Sequence, residues 1–187
     1  MNDWHMIVIE GRERDVRAFV SGCLADRQAD PSRVVFGEDV GLEPESLGAR
    51  LRALLQGGHH VALTTAELAT TIADAIDRAG GGLGLRVIDR HPVASASFGL
   101  EAEAFSRDVT AAIRAALRAL PDGVRLAQHS EQESEHSEDK GVELYAPAHH
   151  YTYRVQARLT GPVEGALAVR HRLADIEAVC LTPLRLD

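Results

Sequence analysis

Residues 93–104 read Val93-Ala94-Ser95-Ala96-Ser97-Phe98-Gly99-Leu100-Glu101-Ala102-Glu103-Ala104. Apolar or small residues at 94, 96, 98, 100, 102 and 104 alternate with Val93, Ser95, Ser97, Gly99, Glu101 and Glu103. A period of two describes β-strand with one face buried and the other mostly wet. The alternation starts near Leu85, and Gly99, inside the run, is read as a bend between two antiparallel strands.

On its N-terminal side, His60–Thr64 reads as a strand, and Leu68, Ile72, Ala75 and Ile76 form a helical stripe that stops at Gly80-Gly81-Gly82. Thr64 and Glu67 stand at capping-box spacing. On its C-terminal side Ser106 is an N-cap, and Val109, Ile113, Ala116, Leu117 and Leu120 line the helix that follows. Pro121-Asp122-Gly123 then turns into a strand at Val124–Ala127. Residues 60–127 thus carry the order βαββαβ, that of a ferredoxin-like unit.

The ends of the chain repeat the theme. Met6–Ile9 is a strand, and Val16, Phe19, Val20, Cys23 and Leu24 follow as a helical stripe. Asp30-Pro31 stops that helix before a strand at Val34–Phe36. Leu47, Leu51, Leu54 and Leu55 mark a short helix ending at Gly57-Gly58. Tyr151, Tyr153, Val155, Ala157 and Leu159 alternate with polar residues as a half-buried strand. Gly161-Pro162 opens a helix, and Val179–Leu186 closes the chain as a strand whose Pro183 suits a sheet edge.

The expected fold class is therefore α+β, with two ferredoxin-like βαββαβ units whose antiparallel sheets carry helices on one face. One unit is continuous over about 60–127. The other is assembled from about 1–45 plus 148–187, within a single compact chain 1–187 that carries an acidic loop at 130–147.

Composition narrows the function classes. Of 187 residues, 45% are hydrophobic but only 4% aromatic, so the cores should be aliphatic. No run approaches the roughly 20 apolar residues of a membrane helix. Met1–Ile9 lacks a basic start and runs into Glu10, so no membrane association and a soluble, cytoplasmic location are expected. Cys23 and Cys180 fall in apolar segments and read as buried thiols of a reducing compartment. The net charge is −8, and six acids (Glu131, Glu133, Glu135, Glu138, Asp139, Glu143) face one cation, Lys140, within residues 131–143. No basic stripe is present, so no nucleic-acid partner is expected.

No decisive catalytic motif appears. Gly80–Gly84 follows a helix, whereas a phosphate loop precedes one. Gly11 lacks the further glycines of a dinucleotide fingerprint. Ser95 and Ser97 lack a nucleophile elbow. The unusual region is His129–His150, where carboxylates and imidazoles mix, the ligand types of divalent metals. Its metal candidates are His129, His136, His149 and His150, which would gather at the base of the loop. His149, Tyr151 and Tyr153 share one strand phase and are the acid–base candidates. Arg154 and Arg158 on the wet face, with Glu131, Glu133 and Glu135, are candidates for binding a ligand or partner.

The reading that follows is a ligand-binding or oligomerisation module of ferredoxin-like type, with possible self-association and no cofactor. Two alternatives stand beside it. One is an enzyme or metal-binding protein with a divalent metal in a His/carboxylate site at the base of the 129–150 loop. The other is a scaffold that recruits a basic partner through the acidic loop.

Overall fold

The computed structural model describes residues 3–43, 59–138 and 148–186. The helix expected around Leu47–Leu55 and the acidic stretch beyond 138 lie outside the described residues. Two compact units divide the chain, residues 1–94 with 183–187, and residues 95–182.

The first unit runs β1 (Trp4–Glu10), α1 (Glu13–Asp26), β2 (Val34–Phe36), β3 (His59–Thr65), α2 (Ala66–Ala79) and β4 (Arg86–Val93). Its strands lie in the order β2-β3-β1-β4, each antiparallel to its neighbours. The split βαβ pairs with β3 inserted between β1 and β2 are the ferredoxin-like arrangement. Ile7, Ile9 and Ala62 of the sheet meet Val16, Val20 and Leu24 of α1 and Leu68, Ile72 and Ile76 of α2. The i, i+4, i+8 spacing of the α1 residues is what points them at one face. Met6, Val8, Val61 and Leu63, on the other side of the same strands, are buried as well. Residues 183–187 belong to this unit, where the Glu43 amide donates to the Leu184 carbonyl at 2.7 Å.

The second unit repeats the plan with β5 (Ser95–Ala104), α3 (Arg107–Arg118), β6 (Arg125–Glu138), β7 (Ala148–Pro162), α4 (Val163–Ala174) and β8 (Val179–Leu181). The strand order is β6-β7-β5-β8, again antiparallel throughout. Ala96, Phe98, Leu100, Ala102 and Ala104 of β5 point inward with Tyr153, Val155, Ala157 and Leu159 of β7. Ile113 and Leu117 of α3 and Ala166, Val169 and Leu173 of α4 close this core from the helix side. Ser106 caps α3 as expected, accepting from the Asp108 amide at 3.2 Å.

The fold class is the expected one, but its partition differs. The expected inner unit, 60–127, and the expected outer unit, 1–45 plus 148–187, do not correspond to the strand pairing. Each unit is instead continuous through its four paired strands. The cause lies in the opening stretch. The bend expected at Gly99 is absent, since Gly99 sits inside the uninterrupted strand β5. The break is Ala94, one residue between β4 and β5. A hairpin connection needs about two residues or more, so β5 cannot fold back on β4 and starts a new sheet. Gly99 serves close approach: a Cβ there would lie 2.8 Å from Cγ2 of Thr182, whose amide donates to the Gly99 carbonyl at 2.9 Å.

Other expectations are also revised. Thr64 does not cap α2; it is a buried strand residue whose hydroxyl donates to the Arg33 carbonyl at 2.8 Å. Pro162 ends β7 and caps α4 from outside rather than occupying its first turn. The C-terminal strand breaks after Leu181 and resumes only as a two-residue strand at Arg185–Leu186, with Pro183 between. Cys180 is exposed, and only Cys23 is partly buried, where desolvation pushes its thiol pKa up. No described helix is long and apolar enough to cross a membrane.

Candidate functional site

The same alternation that buries one side of β5 presents Glu101 and Glu103 on the other. Register places Gln156 and Arg154 of β7 opposite them, and Ser130 and Gln132 of β6 beyond. Directly opposed residues in an antiparallel pair share a face. The helix-free side of this sheet is therefore a row of polar and charged side chains. Arg154 Nε and Nη2 donate to Glu103 Oε1 at 2.8 and 2.6 Å, and Gln156 Nε2 reaches Glu101 Oε1 at 3.4 Å. Arg158 points at Ser97, with Nη2 3.5 Å from Oγ. Glu101, Glu103, Ser130, Gln132, Arg154 and Gln156 line a concavity of about 540 Å³, whose rim includes the exposed Cys180.

The acidic residues take a different role from the one expected. Residues 130–138 are not a loop but the outer half of β6. Glu131, Glu133 and Glu135 pair with Val155, Tyr153 and Tyr151, which puts them on the helix-covered face. There they meet two arginines of α3, seven residues and hence two turns apart. Arg114 binds Glu131, with Nε 2.6 Å from Oε1, and donates to Glu133 Oε2 at 2.8 Å. Arg107 Nη2 donates to Glu135 Oε2 at 2.7 Å. The same guanidinium groups lie over Tyr153 and Tyr151, at 4.8 and 5.0 Å from the ring centroids. β6 is the edge strand of this sheet, where an apolar inner face would be left half-wet. A carboxylate–arginine ladder closes it instead.

Arg114 holds the Glu133 carboxyl below its ordinary value of 4.5, chiefly by donating hydrogen bonds to the charged form. A carboxyl depressed in the folded state stabilises above the unfolded value, and that contribution is lost as pH falls through the folded one. Unit 2 is therefore expected to lose stability progressively below about pH 4.5, and Glu133→Gln to flatten that acid limb while lowering the plateau at pH 7. Thermal melts across pH 3–7 check it; an unchanged acid limb in Glu133→Gln would remove Glu133 from the ladder.

The histidines do not gather as expected. His129 lies opposite Ala157 while His149 lies opposite Ser137, eight positions apart along β7 and so about 27 Å. The cluster at the loop base is thus not formed: because β6 continues for nine residues past His129, the two ends of the region are far apart. His129 Nε2 instead stands 3.6 Å from Glu131 Oε2. Among the described residues no group of three or more His, Cys, Asp or Glu is placed to hold a metal ion. His136 and His150 are directly opposite one another.

Tyr151 and Tyr153 also belong to the helix side. The Tyr151 hydroxyl donates to Thr110 Oγ1 at 3.0 Å, and Thr110 donates to the Ser106 carbonyl at 3.0 Å, which ties β7 to the start of α3. Tyr153 is fully buried with no hydrogen-bond partner for its hydroxyl, and burial pushes its pKa up. The sequence placed Arg154 and Arg158 on the wet face correctly. It missed Glu101, Glu103, Ser130 and Gln132 as site residues: each lies in a run of period two, but only register sets them beside Arg154 and Gln156.

No family model matches the chain, and no curated protein does. Among solved structures, an unknown protein from Galdieria sulphuraria is 11% identical over 100% of this chain and 98% of its own, with a TM-score of 0.34. The CRISPR-associated protein Cas6e from Escherichia coli K-12 is 16% identical over 96% of this chain and 99% of its own, with a TM-score of 0.29. A putative glycine cleavage system transcriptional repressor is 10% identical over 100% and 98%, with a TM-score of 0.25. The assignment of an α+β protein with two ferredoxin-like units rests on the strand order and pairing above.

Proposed function

We propose that this chain is a ligand-binding module whose site is the helix-free face of the second unit's sheet. The observation that carries the reading is the concavity in which Arg154 and Glu101 stand on one open, polar sheet surface. Arg154, whose Nε and Nη2 are held by Glu103, is positioned to offer Nη1 to a carboxylate or phosphate oxygen. Glu101, Gln132 and Gln156 supply acceptors and amides for the rest of a small polar molecule. No residue lining the concavity is aromatic, so the concavity offers no stacking platform for nucleic-acid bases. Interface cores are depleted in such residues as Glu and Ser, which makes a small ligand a better fit than a second protein. The scaffold alternative is weakened, because Glu131, Glu133 and Glu135 are engaged by α3.

The test is thermal stabilisation of the full chain against a panel of small carboxylates, phosphates and amino acids. A ligand at about a hundred times its Kd should stabilise by about 2.7 kcal/mol. Arg154→Ala should abolish that response, while Arg158→Ala, outside the concavity, should leave it. A panel without a responder, or a response indifferent to Arg154→Ala, would overturn the proposal.

A further inference from the structure

β5 ends at Ala104, opposite Tyr153. Beyond that point, among the described residues, β6 and β7 pair only with each other, from Ser134↔Thr152 to Glu138↔Ala148, as a two-stranded ribbon. His136 and His150 face each other in the middle of it. Both are exposed. Directly opposed residues hold their Cβ atoms about 4.5–5.5 Å apart on the same face. Two imidazole nitrogens bound to one ion at about 2.0–2.1 Å need only converge to about 3 Å, which two exposed side chains reach by rotation about χ1 and χ2.

We infer that His136 and His150 form a cross-strand chelate for a borderline divalent cation, zinc, nickel or copper, with its remaining positions open to water. This site shares the helix-free face with the concavity but none of its lining residues, and does not depend on it. Imidazole ligation favours these ions over magnesium or calcium, which take oxygen donors. The next pair inward, Ser134 and Thr152, has small side chains that leave the ion room. The nearest cation along that face of β7 is Arg154, and it is held by Glu103. His129, seven residues back along β6 and about 24 Å away, takes no part.

Cu²⁺ and Zn²⁺ alone are the probes, titrated into the full chain by calorimetry, with electron paramagnetic resonance of the copper form. The expected result is one principal site per chain with copper spectra showing two imidazole nitrogens. His136→Ala and His150→Ala should each weaken it by about tenfold or more, and His129→Ala should leave it unchanged. Circular dichroism confirms that each variant is folded. Binding that survives both His136→Ala and His150→Ala, or that is lost in His149→Ala but not in His150→Ala, would overturn the inference.

Discussion

Truncating Phe98 to alanine is expected to lower the unfolding free energy of the second unit by about 3–5 kcal/mol, the range for deleting a large buried aromatic. Phe98 is 1% exposed and pairs directly with the fully buried Leu159 across β5 and β7. The Arg170 guanidinium from α4 lies 5.5 Å from its ring centroid and donates to the Thr182 carbonyl at 2.6 Å. The ring therefore sits where the two central strands and one helix meet, and neighbours fixed in a close-packed sheet collapse poorly into the space it leaves. Guanidinium denaturation followed by far-ultraviolet circular dichroism measures the loss. A cost below about 1 kcal/mol would contradict the inward phase assigned to β5, since a surface position typically changes stability by no more than about 0.5 kcal/mol.

The second large effect comes from adding one carbon. Gly161 is buried near the end of β7, and a Cβ there would lie 2.7 Å from Val124 Cα and 2.9 Å from the Gly123 carbonyl oxygen. Both are backbone atoms of the turn that leads into β6, so neither can rotate away. Gly123 itself adopts φ +80°, a left-handed conformation that suits glycine and leaves this turn little latitude to shift. Gly161→Ala is expected to destabilise by about 1–3 kcal/mol through overpacking. Gly22→Ala, in the middle of α1 with nothing within 4 Å of the added carbon, should stabilise by about 0.5–1 kcal/mol. The pair separates close contact from intrinsic propensity. If both substitutions stabilise, the approach of β7 to the Gly123 turn is not as described.

The candidate site was half legible. Arg154 could be assigned to a wet face because β7 alternates cleanly, with Tyr153, Val155, Ala157 and Leu159 all buried. The partners that make a surface of it, Glu101 and Glu103, come from a strand more than fifty residues earlier. Only register brings them alongside. The stretch from Ser130 to Glu138, acidic and serine-rich, has the composition of a solvated loop. Its alternation of Glu131, Glu133 and Glu135 with serine and glutamine is nonetheless strand-like. What satisfies those carboxylates is Arg107 and Arg114, and an ion pair across 17 to 28 residues leaves no mark on local periodicity.

The same distinction holds for the fold. Local pattern by itself determined the elements: the helical stripe of Val16, Val20 and Leu24, the cap at Ser106, and the two-residue period of the run from Val93 to Ala104. These follow from how the backbone spaces side chains, which each segment carries within itself. Pairing is a different quantity. The string of strands and helices can be bracketed into βαββαβ units in more than one way, and every bracketing satisfies the same periods. Tertiary structure decided that the boundary falls at Ala94 rather than Gly99, because one residue cannot turn a strand back on its predecessor. β4 instead completes the sheet of β1, and β5 begins another.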